Sequence, residues 1–149
     1  MLLSKHFELA EFVVSETAAR QGIDNEPSDQ IIANLRSLCR EVLEPLRKHL
    51  ARPVIITSGY RSAELNRAIG GSFTSQHMTG KAADIIVPGI KPFELCELIE
   101  SMELPYGQLI NEYGQWTHIS LGSDQSERQT FTAHRVGGST VYERGNMYV

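Results

Sequence analysis

The strongest constraint on the fold is one apolar stripe at helical spacing: Ile31, Ile32, Leu35, Leu38, Cys39, Val42, Leu43, Leu46 and Leu50. Separations of three and four place these residues on one side of a helix capped by Ser28 or Asp29 and running to about His49. Arg36, Arg40, Glu41 and Lys48 are left to face water. Pro45 lies inside the pattern and predicts a kink or an early stop. So wide a stripe must be covered, and short β-branched runs follow it. Residues 53–57 and 82–87 read as strands, and residues 109–112 and 116–121 as a hairpin around Gly114. Helices first and mostly antiparallel strands later predict an α+β fold, with N-terminal helices packed on a mainly antiparallel sheet.

The remaining elements are shorter. Ser4 is expected to cap a first helix running to about Arg20 and stopped by Gly22, with Phe7, Leu9, Phe12 and Val13 as its apolar positions. Residues 62–69 read as a helix closed by Gly70-Gly71, and Pro92 opens another that runs to about Met102. Residues 129–136 and 140–143, joined at Gly137-Gly138, form a further candidate hairpin.

No repeat or linker divides the 149 residues, which are expected to form one domain. A net charge of −4 without a Lys/Arg run argues against nucleic acid as partner. No apolar stretch approaches the ~20 residues that cross a bilayer, so no membrane partner is expected. The start does not read as a signal peptide, since its apolar region is short and Lys5 follows at once. The chain is therefore expected to be cytoplasmic as synthesised and to act as a monomer. Cys39 and Cys96 fall in helical patterns and are expected to be free and buried.

Three residues stand out chemically. His77 lies in a loop rich in Gly, Ser and Thr, and Asp84 is an acid inside the apolar run Ala82-Ala83-Asp84-Ile85-Ile86-Val87. Burying that carboxylate is costly unless it is paired or bound to a metal. His118 shares one strand face with Trp116 and Ser120. Two imidazoles and a carboxylate can hold Zn²⁺ with a fourth position left for water. Such a site needs neutral histidines, so its occupancy is expected to fall below pH ~6. The alternative is a structural strand histidine and an aspartate that caps a turn or pairs with an arginine.

Ser75-Gln76-His77-Met78-Thr79-Gly80-Lys81-Ala82-Ala83-Asp84 resembles the Ser-x-His-x-x-Gly-x-Ala-x-Asp motif of the M15 peptidases. These are zinc D-alanyl-D-alanine carboxypeptidases and phage peptidoglycan endopeptidases. Trp116-Thr117-His118-Ile119-Ser120 resembles the strand of the family's third ligand, and Ser58-Gly59-Tyr60-Arg61-Ser62 its substrate-binding turn. Residues 7–18 resemble the N-terminal helix of its short, phage-associated branch. The likeness covers about residues 7–121 and leaves 122–149 as a C-terminal hairpin or extension. It implies the α+β fold shared with hedgehog amino-terminal domains. It also implies one zinc per chain on His77, Asp84 and His118, and a peptidoglycan stem peptide as substrate, reached by phage release or from a virion.

The resemblance makes Arg61 the anchor of a substrate carboxylate or backbone, with a solvated turn arginine as the alternative. Tyr60, Ser75 and Trp116 are candidate pocket residues, with packing or a turn as the alternative for Tyr60 and Ser75 and core packing for Trp116, and Asn66 is a lesser candidate. The general base departs from the family patterns. Gln115 stands where Glu-x-x-His relatives carry the glutamate, and Trp116 where His-x-His relatives carry the first histidine. The remaining candidate is Glu112. A three-residue loop of Tyr113-Gly114-Gln115 puts Glu112 on the face of His118, whereas a two-residue loop turns it away. If no base is present, the chain reads instead as a zinc-stapled wall-binding or phage structural module.

Overall fold

A computed structural model describes residues 1–123 and 128–149. The apolar stripe forms a rod of two helices, α3 (Asp29–Leu38) and α4 (Glu44–Leu50), joined by a π-helical segment, Cys39–Leu43. Pro45 explains the join. It has no N–H to give to Glu41, and its ring would crowd that carbonyl. The preceding turn widens so that Glu44 N–H reaches back to Cys39 O, and the rod continues. Leu35, Leu38, Cys39, Val42, Leu43 and Leu46 are fully buried along it.

Residues 2–21 depart from the single helix that the sequence predicts. They form a small antiparallel pair, β1 (Leu2–Ser4) with β2 (Phe7–Glu8), and then two short helices, α1 (Leu9–Val13) and α2 (Glu16–Gln21). Local capping is the reason. Glu8 and Glu11 close a capping box that starts α1 at Leu9, and Ser15 Oγ accepts from Ala18 N to start α2. Ser4 caps nothing; its hydroxyl donates to Glu44 Oε1 at 2.6 Å. Gly22 ends α2 in the left-handed conformation, as the sequence predicts.

Most other elements fall within a residue or two of expectation: β3 (Ile55–Ser58), α5 (Ala63–Ala68), β4 (Ala82–Ile86), α6 (Pro92–Ser101) and β6 (Trp116–Leu121), while β5 (Tyr106–Glu112) starts three residues earlier than expected. The candidate tail hairpin is present as β7 (Gln129–Val136) and β8 (Ser139–Arg144). Residues 124–127, part of the expected C-terminal extension, lie outside the described residues. Among the described residues, six strands make one sheet in the order β3-β4-β6-β5-β7-β8. Every join is antiparallel except β5 with β7, which is parallel.

The sheet has two unlike faces. Ala83, Ile85, Leu109 and Ile119 are fully buried in the same core cluster as the rod and α6. Side chains one position away point to the opposite face, because strand side chains alternate. Register then aligns Asp84, His118, Ile110, Phe131 and Arg144 in one row across that second face. After β8 the chain returns to the core side, where Thr132 Oγ1 donates to Gly145 O (2.7 Å) and Asn111 Nδ2 to Met147 O (3.1 Å).

Gly59 is where α1 meets the turn after β3. A Cβ there would lie 2.5 Å from the Phe12 Cα and carbonyl oxygen, which are backbone atoms that cannot swing aside. Gly59→Ala is expected to lose about 1–3 kcal/mol in urea unfolding; unchanged stability would refute the close approach. Cys39 and Cys96 are free, and burial pushes each thiol up to about 12. The thiolate fraction at pH 8 is then on the order of 10⁻⁴. Ellman's reagent is expected to label neither cysteine until denaturant is added, and rapid labelling of the native chain would contradict this packing.

Candidate metal centre

His77 sits on a short 3₁₀ turn, Gln76–Thr79, between a loop and β4. Ser75 starts the turn by accepting from His77 N (3.2 Å), and Gly80 ends it at φ 72°. The residue is 2% exposed, and its ring Nδ1 lies 2.7 Å from Gly59 O. A carbonyl can only accept, so Nδ1 carries the proton and Nε2 keeps a lone pair. That lone pair faces Asp84 Oδ1 at 3.3 Å. From the neighbouring strand, His118 Nδ1 reaches the same oxygen at 3.0 Å. Asp84 and His118 meet because β4 and β6 pair them directly across the ladder.

A lone pair on nitrogen and a carboxylate oxygen repel at this distance unless a proton or a cation lies between them. Burial pushes the Asp84 carboxyl up, but the imidazoles of His118 and His77 beside it outweigh burial and hold the group well below the usual carboxylate range. The residues therefore suit a cation. Tetrahedral zinc with bonds of ~2.0–2.1 Å separates its ligand atoms by about 3.3–3.4 Å, close to the two Asp84 distances. One ligand atom from each of the three side chains lies within 4.8 Å of the others. The Gly59 carbonyl plays the orienting part that outer hydrogen bonds play for metal-bound histidines.

Glu112 joins this face. The β5–β6 turn is the three-residue one, with Glu112 opposite Trp116 and Ile110 opposite His118. Tyr113 and Gly114 take φ of 59° and 68°, and Gln115 N–H closes the turn on Glu112 O (2.9 Å). Below it, the buried Asn111 accepts from Gly114 N (3.0 Å). Desolvation raises the Glu112 pKa, helped by Asp84 and opposed by His118 and Arg61. Gln115 is exposed in the turn.

Arg61 lines the same cleft, its backbone N–H bonded to His77 O (3.1 Å). Its Nη2 makes a long 3.5 Å contact to Ser75 Oγ, and its buried Nε has no hydrogen-bond partner among the described residues. Desolvation lowers its pKa, and the charges of Asp84 and Glu112 work against that. A half-buried guanidinium with an unused donor is poised for an incoming oxygen.

Ser75 and Trp116 also line the cleft, which encloses about 1160 Å³. Tyr60, a pocket candidate from the sequence, does not: it packs against the core cluster, with its N–H on Phe12 O (2.7 Å). The reason is the Gly59 close approach, which ties residue 60 to α1. Asn66 is buried and ties the 66–72 loop, donating to Ser72 O (2.9 Å). Sequence reasoning gave no role to Arg135, Thr140 or Tyr142, which line the cleft from β7 and β8. Their period-two spacing was visible, but nothing local indicates that β7 pairs in parallel with β5.

Two histidines and a carboxylate with an open side, beside a free glutamate in a cleft, form the donor set of a mononuclear zinc hydrolase. A family profile described as Peptidase M15 matches residues 5–120, more than half of the chain, which therefore belongs to the M15 peptidases, a zinc-dependent family. A search of curated proteins finds no match. Among the described residues, no helix is long and apolar enough to cross a membrane.

Purified protein is expected to bind one zinc per chain by elemental analysis, with His77→Ala and His118→Ala each abolishing it. Full occupancy in either variant would refute the ligand set.

Proposed function

We propose that this chain hydrolyses amide bonds in bacterial cell-wall peptides, at bonds involving D-alanine, using His77, Asp84 and His118 as the metal ligands. The observation that carries the reading is the convergence of Glu112 and Arg61 on the cleft that holds the His–Asp–His set. Zinc held there would supply Lewis acidity to the amide carbonyl and to the attacking water. Glu112 acts as general base: it accepts a proton from that water as the new C–O bond forms. It then delivers the proton to the leaving nitrogen as the C–N bond breaks, so the products are a carboxylate and an amine. Its raised pKa makes it a stronger base than an ordinary carboxylate. Arg61 grips a carboxylate or carbonyl of the peptide and fixes the bond over the centre.

The cleft exceeds the ~300–1,000 Å³ of drug-sized pockets, which supports a substrate of several residues. Peptidoglycan stem peptides fit that requirement, and the phage-branch likeness of residues 7–18 supports release by a phage or carriage in a virion. Terminal trimming and internal cutting both use this machinery.

Mass spectrometry of muropeptides before and after digestion is expected to reveal a newly cut D-alanine bond. Glu112→Gln is expected to lose about 10²–10⁴-fold in rate while keeping its zinc. Wall binding without peptide release by the zinc-loaded wild type would overturn the hydrolase and favour a binding module.

A further inference from the structure

The family match stops at residue 120, yet the sheet face that carries the centre continues into β7 and β8. Parallel pairing sets Glu112 beside Ala133, and the hairpin register sets Ala133 beside Tyr142. Paired residues share a face. Tyr142 therefore stands two strands from Glu112, with only the methyl group of Ala133 between them. Arg135 and Thr140 form the next pair on the same face, and all three of these hairpin side chains line the cleft.

Arg135 is exposed and rests on an aromatic ring, and Tyr142 is 55% exposed. Arg135 lies with its guanidinium carbon 4.7 Å from the centre of the Tyr113 ring. Tyr113 is fixed in turn by a 2.7 Å hydrogen bond to Thr140 Oγ1 and an edge-on contact with Trp116 at 5.5 Å. These contacts hold an aromatic residue in a left-handed turn conformation it rarely adopts. Stacking orients a guanidinium and leaves its N–H edge free. Among the described residues, Arg135 has no carboxylate at ion-pair distance and the Tyr142 hydroxyl has no hydrogen-bond partner. Desolvation, and then the charge on Glu112, raise the phenol pKa, so the hydroxyl remains a donor at neutral pH.

Charge points to the ligand. The chain carries −4 overall, yet the cations Arg61, Lys81 and Arg135 outnumber Asp84 and Glu112 along the described cleft. A divalent ion widens that excess, and a positive cleft in an acidic protein concentrates anions. Arg61 enters beyond β3, at one side of the sheet, and Arg135 stands on β7, with the strands of the centre between them.

We propose that the β7–β8 hairpin forms a second substrate subsite, in which Arg135 binds a carboxylate of the peptide and Tyr142 donates a hydrogen bond to its backbone, across the centre from Arg61. This rests on the wall-peptide reading and narrows it to an anionic peptide gripped on both sides of the cut bond.

The test uses two wall-type peptides that differ only in whether one internal carboxyl is free or amidated. Cleavage rates and calorimetric dissociation constants are measured for wild type, Arg135→Gln and Tyr142→Phe, with binding also measured on zinc-free protein. Wild type is expected to favour the free acid by about 5-fold in both kcat/KM and affinity. Arg135→Gln is expected to erase that preference, and Tyr142→Phe to weaken binding of both peptides about 5-fold with zinc content and Tm unchanged. Equal preference in wild type and Arg135→Gln, or unaltered binding by Tyr142→Phe, overturns the subsite. If wild type cleaves neither peptide, the hydrolase reading fails. The dissociation constants still decide the subsite.

Discussion

The site depends on one hydrogen bond, from His77 Nδ1 to the Gly59 carbonyl. It settles which ring nitrogen carries the proton and leaves the other with a lone pair against a carboxylate oxygen that His118 also approaches. Such a pocket is electrostatically incomplete and suits a cation, which is why a half-buried aspartate in an otherwise apolar strand is tolerable. The carbonyl is available because residue 59 is a glycine lying against the Phe12 backbone. The packing of α1 on the turn after β3 and the orientation of the first histidine are one structural fact.

Glu112 depends on a different constraint. A strand side chain changes face with a single-residue slip, so the length of the β5–β6 turn decides whether a carboxylate stands over the centre or away from it. Asn111 anchors that turn from the core face through Gly114 N, and its amide also holds the returning C-terminal segment at Met147. A buried polar residue that lines no part of the cleft thus connects the returning C-terminal segment to the position of Glu112.

The parallel join of β5 and β7 has the widest consequence for the cleft. It continues the face bearing His118 and Glu112 into a hairpin beyond the family-matched span, and brings an arginine and a tyrosine to the opposite wall. The Tyr113 ring, between Trp116 and Arg135, joins that wall to the turn that carries Glu112.

What could be read from the chain alone was whatever short-range pattern encodes. The stripe from Ile31 to Leu50, the cap at Ser28, the stop at Gly22 and the alternation around Asp84 and His118 each depend on neighbours a few residues away, and each appears in the fold. The His77–Asp84–His118 group, which could hold a metal, was legible because its residue types are chemically unusual where they stand and because the motifs around them resemble those of a known family. The opening residues were misread as one helix because Ser15 restarts the chain and Ser4 spends its hydroxyl on distant Glu44. Tyr60 could be read as a pocket or a packing residue, and the choice fell to packing because a backbone contact with Phe12, far away in sequence, lays it against the core. Only tertiary structure could decide the face of Glu112, the tautomer of His77 and the parallel partner of β7. The first is set by whether the hairpin closes with two or three turn residues, which its sequence left open; the other two are set by a backbone group or strand many residues away, and no local pattern records which distant partner a carbonyl or a strand edge will meet.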